Sequence, residues 1–259
     1  MDTAMGTTAA PREALAVAGG VVLDWGYALW RQVASFAQGR VTTTTVHPPE
    51  GTPGGASARK DKAEVVLIPG IYEPAGFMDP LRRRLQERGH RVVVLPELGY
   101  NRRTIPETAD VAAARLRELR VKDAVVIAHS KGGLVGKLLM TAYAQDGLVV
   151  RMLAVGTPFE GARYSRYAPT RPLRSFYPGH PVLGSLAKNL EVNARIVSVG
   201  ARVDPLVGRS TRLEGGSNIV LPVTGHFRIL ASRELMAVVD DFLRNEVGGS
   251  GEQAGGVIR

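Results

Sequence analysis

A mostly parallel sheet of about six strands with helices on both faces is the fold class this sequence predicts, and three observations predict it. Short β-branched runs at 64–68, 91–95, 123–128, 151–155, 196–200 and 218–221 are almost continuously apolar, as strands covered on both faces must be. Helical periodicity fills most of the gaps between them, at 80–88, 107–119, 132–144 and 232–245. Strand and helix therefore alternate, and crossovers between parallel strands are almost always right-handed, which sends helices to both sides of one sheet.

Composition agrees with a folded domain. A 44% hydrophobic fraction supplies an ordinary core, and 22% charged residues are too few for a disordered polyelectrolyte. At 259 residues the chain can bury its own core without a staple. With no Cys there is no disulfide framework, no thiolate metal site and no Cys nucleophile. Lys and Arg exceed Asp and Glu by 33 to 24, a balance of +9 that favours anionic partners. Nucleic acid is not among the expected ones, because no helix-turn-helix, zinc or RNA-binding signature accompanies the charge.

From the N-terminus, residues 1–11 are Thr/Ala/Gly-rich and read as loose. Leu15, Ala18, Val22, Trp25, Leu29, Val33 and Phe36 then recur at steps of three and four, one helical stripe within an N-terminal segment 1–46. Asp24 interrupts the apolar run, leaving it short of a membrane span, and the charged start is too weak for a secretory leader. The helix is expected to pack on the domain, with an interfacial membrane helix or a secretion or anchor signal as the alternatives. Residues 41–46 offer one edge strand. A Pro/Gly-rich linker covers 47–62, the main domain 63–246, and a Gly/Ser-rich tail 247–259.

In open parallel sheets the reactive surface lies beyond the carboxyl ends of the strands, so the residues just after each strand are the informative ones. Pro69-Gly70-Ile71-Tyr72 comes after the first, and His129-Ser130-Lys131-Gly132-Gly133 after the third. Asp204 comes after the fifth and Gly225-His226-Phe227 after the last. One Ser, one Asp and one His thus arrive at one edge in that chain order. Ala128 to Gly132 forms a G-x-S-x-G turn with its first Gly replaced by Ala. Such a strand-to-helix turn lifts the Ser130 hydroxyl above the sheet and points the Lys131 amide at an oxygen bound there. Asp146 and Glu160 are rival acids, but one follows a helix and the other a Thr-Pro turn, which leaves Asp204. His129 reads as a packing residue beside the nucleophile or as one that supports the site from behind, and His47, His90 and His180 as surface residues.

Together, Val65 to Ile71, Ala128 to Leu134, Gly156-Thr157-Pro158-Phe159-Glu160-Gly161 and Gly225-His226-Phe227 make the chain resemble the α/β-hydrolases, bacterial triacylglycerol lipases and esterases in particular. The resemblance implies the compact form of that fold and a serine ester hydrolase that cleaves acyl esters through an acyl-enzyme. Ser130 is then the nucleophile, His226 the base and Asp204 its acid. The backbone amides of Ile71 and Lys131 form the oxyanion hole. Pro69-Gly70 stands where such lipases usually carry a His-Gly pair; the role falls to a backbone N–H, which Ile71 supplies.

Tyr72, Phe159 and Tyr100 are the candidate substrate contacts. Residues 161–190 occupy the usual place of a cap or lid and carry five cations, four aromatic rings or phenols and no acid. The expected partner is a small acyl ester or lipid, with peripheral membrane contact through the N-terminal helix or the cap. No cofactor and no metal are required. A cytoplasmic or peripheral-membrane location fits, and secretion is compatible. An acyltransferase or thioesterase on the same triad, or a catalytically silent lipid-binding module, are the other readings.

Overall fold

The computed structural model describes residues 9–37, 45–46 and 62–244. The loose start up to residue 8, most of the 47–62 linker, His47 and the tail lie outside the described residues. A two-residue strand, β1 (Thr45–Val46), pairs antiparallel with β3 (Arg91–Val94). The remaining strands, β2 (Glu64–Ile68), β4 (Ala124–His129), β5 (Val149–Val155), β6 (Ile196–Val203) and β7 (Ser217–Thr224), run parallel to β3 in the spatial order β1-β3-β2-β4-β5-β6-β7. The chain leaves β2 for β3 on one side and then crosses to β4 on the other. The loops after β2 and β4 therefore part at a switch point, where an open parallel sheet leaves a crevice.

Period-two alternation divides the core. Val66, Ile68, Val126, Ala128, Met152 and Ala154 face α3 (Ile105–Glu118) and α4 (Lys131–Ala142). Val65, Leu67, Val125, Ile127, Leu153 and Val155 face the opposite layer, built from α2 (Asp79–Glu87) and α7 (Arg233–Arg244). Both sets are fully buried, which explains why these strands read as continuous apolar runs. A capping box, Thr104 with Glu107, and Pro106 in the first turn fix the start of α3. Between β5 and β6 the chain makes the short helices α5 (Arg171–Arg174) and α6 (Pro181–Lys188).

The N-terminal helix α1 (Ala9–Ala37) packs on the domain, but by the face opposite its apolar stripe. Leu15, Val22, Trp25, Leu29 and Val33 are each more than half exposed, whereas Asp24, Arg31 and Gly20 are buried. The reason is polar rather than hydrophobic. Arg31 donates to the carbonyls of Gly76 and Phe77, and Asp24 accepts three backbone amides near the end of β7. Two buried charges with these partners set the rotation of the helix, because turning the stripe inward would leave them all unpaired.

Candidate functional site

Ser130 sits between the end of β4 and the start of α4, with φ 50° and ψ −120°. A residue with a Cβ is strained there, by about 1–3 kcal/mol. The turn is held by the Ser130 amide on the Val155 carbonyl at 2.8 Å and the Gly133 amide on the Ser130 carbonyl at 3.1 Å. Gly132 cannot be enlarged, since a Cβ would collide with the Ile68 carbonyl oxygen. Ala128, two residues before Ser130, is tolerated because it lies within β4, fully buried between Ile68 and Ala154.

Asp204 directly follows β6, and His226 follows β7 by one glycine. His226 Nδ1 lies 2.7 Å from Asp204 Oδ2. The other Asp204 oxygen, Oδ1, accepts the amides of Leu206 and Val207 at 2.9 and 3.0 Å. Burial pulls this carboxyl upward, but the imidazole and the two amides outweigh it and hold the group below its ordinary value. Below the imidazole, the amides of His226, Phe227 and Arg228 all donate to Asp24 at 2.8 Å. Gly225, at φ 124°, lets the carboxylate approach this closely, because a Cβ there would strike Asp24 Oδ1.

A second buried pair lies against the first. His129 Nδ1 is 2.8 Å from Glu73 Oε1, and its Nε2 is 2.9 Å from the His226 carbonyl oxygen. Acceptors on both sides satisfy an imidazole only when both nitrogens carry protons. Burial lowers the basicity of His129, but Glu73 and the His226 carbonyl overcome it and raise the group above its ordinary value. Glu73 Oε2 also accepts the Gly70 amide at 2.6 Å. One carboxylate thus ties the loop after β2 to the strand end beside Ser130.

The Lys131 side chain turns away from Ser130. Its Nζ donates to the carbonyls of Asn101 and Arg103, to Asn101 Oδ1 and to Thr108 Oγ1 at 2.5–3.0 Å. Burial pulls the ammonium down to about 7, Glu107 opposing and Arg103 adding to the fall. The side chain therefore fastens the loop after β3 and does not meet an acidic substrate. Its amide is the first of α4, at the helix N-terminus that directly follows Ser130.

Ser130 and His226 line one cavity of about 580 Å³. Ile71 and Tyr72 line it from the loop after β2, and Leu206 and Val207 from the loop after β6. Segment 161–190 contributes Ala162, Ser165, Ala168, Leu173 and Phe176, and α1 contributes Trp25, Ala28 and Leu29. Among the described residues no group of three or more His, Asp or Glu is arranged to hold a metal ion.

No protein-family model matches the chain, and no curated protein sequence does either. Solved structures do match. The mature lipase BlEst2 of Bacillus licheniformis superposes with a TM-score of 0.59 at 15% identity, covering 77% of this chain and 97% of the other. The enol-lactonase of Burkholderia xenovorans gives 0.55 at 14% identity over 77% and 95%, and a putative non-heme bromoperoxidase of Mycobacterium tuberculosis 0.54 at 15% over 71% and 92%. The chain has the α/β-hydrolase fold. Those three proteins carry different activities by name, so the fold by itself selects no reaction.

On this α/β-hydrolase scaffold, Ser130, His226, Ile71 and Tyr72 line one cavity, with Asp204 behind His226 and Lys131 next to Ser130 in the chain. Phe159 and Tyr100 do not. Phe159 packs on the core beside α4 and lines a separate cleft with Lys137 and Glu160, because the turn after Pro158 directs it past the sheet edge. Tyr100 lies outside the cavity under the Arg102 guanidinium, 5.1 Å from its ring centroid. Asp146, the rival acid, pairs with Arg117 on the surface, and Glu160 lines the cleft of Phe159. His90 is buried against the Ala63 carbonyl rather than exposed, and His180 caps α6 through the Val182 amide. Sequence reasoning missed Asp24 and Glu73. Asp24 had a signal, as the lone charge in an apolar helical run; Glu73 had only its place three residues after Gly70.

Proposed function

We propose that the chain is a serine ester hydrolase acting on acyl esters with an apolar acyl group. The observation that carries this reading is the 2.7 Å contact of His226 with Asp204 beside a cavity that Ser130 shares. With Nδ1 donating to Asp204, Nε2 is the basic nitrogen. It takes the proton of Ser130 as the hydroxyl oxygen attacks the ester carbonyl, and then delivers that proton to the departing alkoxide. Asp204 fixes the tautomer and stabilises the imidazolium. The amides of Ile71 and Lys131 receive the oxyanion, where losing one donor costs about 3 kcal/mol of transition-state stabilisation. Water, deprotonated by the same nitrogen, then cleaves the acyl-enzyme, releasing the acid and restoring Ser130.

The strained Ser130 backbone supports the same reading, since strain persists where surrounding structure holds a group in place for use. Leu173, Phe176, Leu29 and Val207 supply an apolar lining in the size range of small-molecule sites. Turnover of p-nitrophenyl esters from short to long acyl chains tests the proposal. Ser130→Ala and His226→Ala should each lose roughly 10⁴-fold or more in kcat while remaining folded. A folded Ser130→Ala that turns over at the wild-type rate would overturn it.

A further inference from the structure

Seven large apolar side chains of α1, Leu15, Val22, Leu23, Trp25, Leu29, Trp30 and Val33, are each more than half exposed, and between Leu15 and Ser35 no charge joins them on that side. From Leu15 to Ser35 the only charged residues are Asp24 and Arg31, and both point into the domain. Scattered exposed apolar residues are ordinary, but a continuous face of this kind marks a contact surface. Beside it, Gln32 donates to the Tyr72 carbonyl, and the Tyr72 hydroxyl lies 3.2 Å from Thr170 Oγ1. That links α1 to segment 161–190, whose Arg166, Arg171, Arg174 and Tyr167 are exposed and which holds five cations and no acid. Trp25 and Leu29 belong both to the outward face and to the cavity lining.

We propose that the outward face of α1, with the cationic rim of segment 161–190 beside it, docks in the plane of an anionic lipid surface. Among the described residues no helix is long and apolar enough to cross a membrane, so α1 lies along the surface. Charge selects this occupant over a second copy of the chain: two copies joined by this face would bring together two such rims on chains that each carry a balance of +9. Anionic headgroups answer the arginines, and the acyl region answers the apolar face. Trp25 and Leu29 then reach from the apolar phase to the cavity wall. The proposal rests on the hydrolase reading only for what enters the cavity.

Binding is measured with Ser130→Ala protein, which keeps the face intact and consumes no lipid, by co-sedimentation with vesicles of phosphatidylglycerol or of phosphatidylcholine. Retention should be strong on phosphatidylglycerol, fall as salt rises, and be weaker on phosphatidylcholine. Adding Val22→Gln, Trp30→Gln and Val33→Gln should weaken retention at least about tenfold. The same triple substitution with Ser130 restored should hydrolyse a soluble ester at the wild-type rate, which shows that the variant is folded. No retention on phosphatidylglycerol, or equal retention of the triple variant, would overturn the proposal. So would a wild-type dimer that the three substitutions dissociate. Loss of the hydrolase reading would leave the vesicle result untouched, and an absence of binding would leave soluble turnover untouched.

Discussion

Asp24 and His226 are 202 residues apart, yet the Asp24 carboxylate accepts the His226 amide at 2.8 Å, together with the next two amides. A helix outside the sheet thereby fixes the height and tilt of the loop that carries the imidazole. On the proposed hydrolase reading Asp24 is a positioning residue, since its contacts with this loop are to backbone amides.

Removing its carboxylate strands three donors. Asp24→Ala should cost about 3 kcal/mol or more of stability, because buried amides lose a charged acceptor. Asp24→Asn keeps one carbonyl oxygen and should lose less. It should lower kcat by about tenfold with KM little changed, as the imidazole drifts from its best position. Thermal unfolding and ester kinetics on both variants check this, and equal kcat in wild type and Asp24→Asn would count against a positioning role.

At Gly132 the expected effect is steric. Gly132→Ala places a Cβ on the Ile68 carbonyl, and backbone cannot yield as a flexible side chain can. The variant should lose about 3 kcal/mol or more and activity with it. Circular dichroism melting decides the point; a wild-type melting temperature would contradict the packing described for this turn.

The Glu73–His129 pair should leave a pH signature. His129 is raised in the folded protein, so its contribution to stability is complete below the ordinary imidazole value near 6.5 and is lost as pH rises through the higher folded value. Glu73→Gln removes the cause. Its melting temperature should fall furthest below wild type near pH 6, and the deficit should shrink toward pH 9. A deficit that grows with pH would mean that His129 is neutral in the folded state.

Lys131→Met separates side chain from backbone. The loop after β3 loses the ammonium that binds it at Asn101 and Arg103, and α3 its contact at Thr108, so stability should drop by roughly 2–4 kcal/mol. The amide at position 131 remains, so ester kinetics should not show the 10²–10³-fold loss in kcat typical of a missing oxyanion donor.

These residues also show how far a sequence can be read. The strands were legible because burial on both faces makes them continuously apolar, and the order of Ser130, Asp204 and His226 was legible because each lies just past a strand. The rotation of α1 was not. Its apolar stripe marks the helix but not the face it buries, since Asp24 and Arg31 find partners that only the folded chain assembles. Glu73 with His129, and Lys131 with the loop at Asn101, were hidden for the same reason: their partners are 56 and 30 residues away. Phe159 and Tyr100 sit on loops at the expected edge, but sequence position does not say which way a loop side chain turns.

The central claim is that Ser130 is a nucleophile activated by His226. Labelling folded protein with a fluorophosphonate and mapping the adduct by mass spectrometry tests it directly. One adduct is predicted, on Ser130, strongly reduced in His226→Ala and absent in Ser130→Ala. An unlabelled wild type, or an adduct on any other residue, would contradict it.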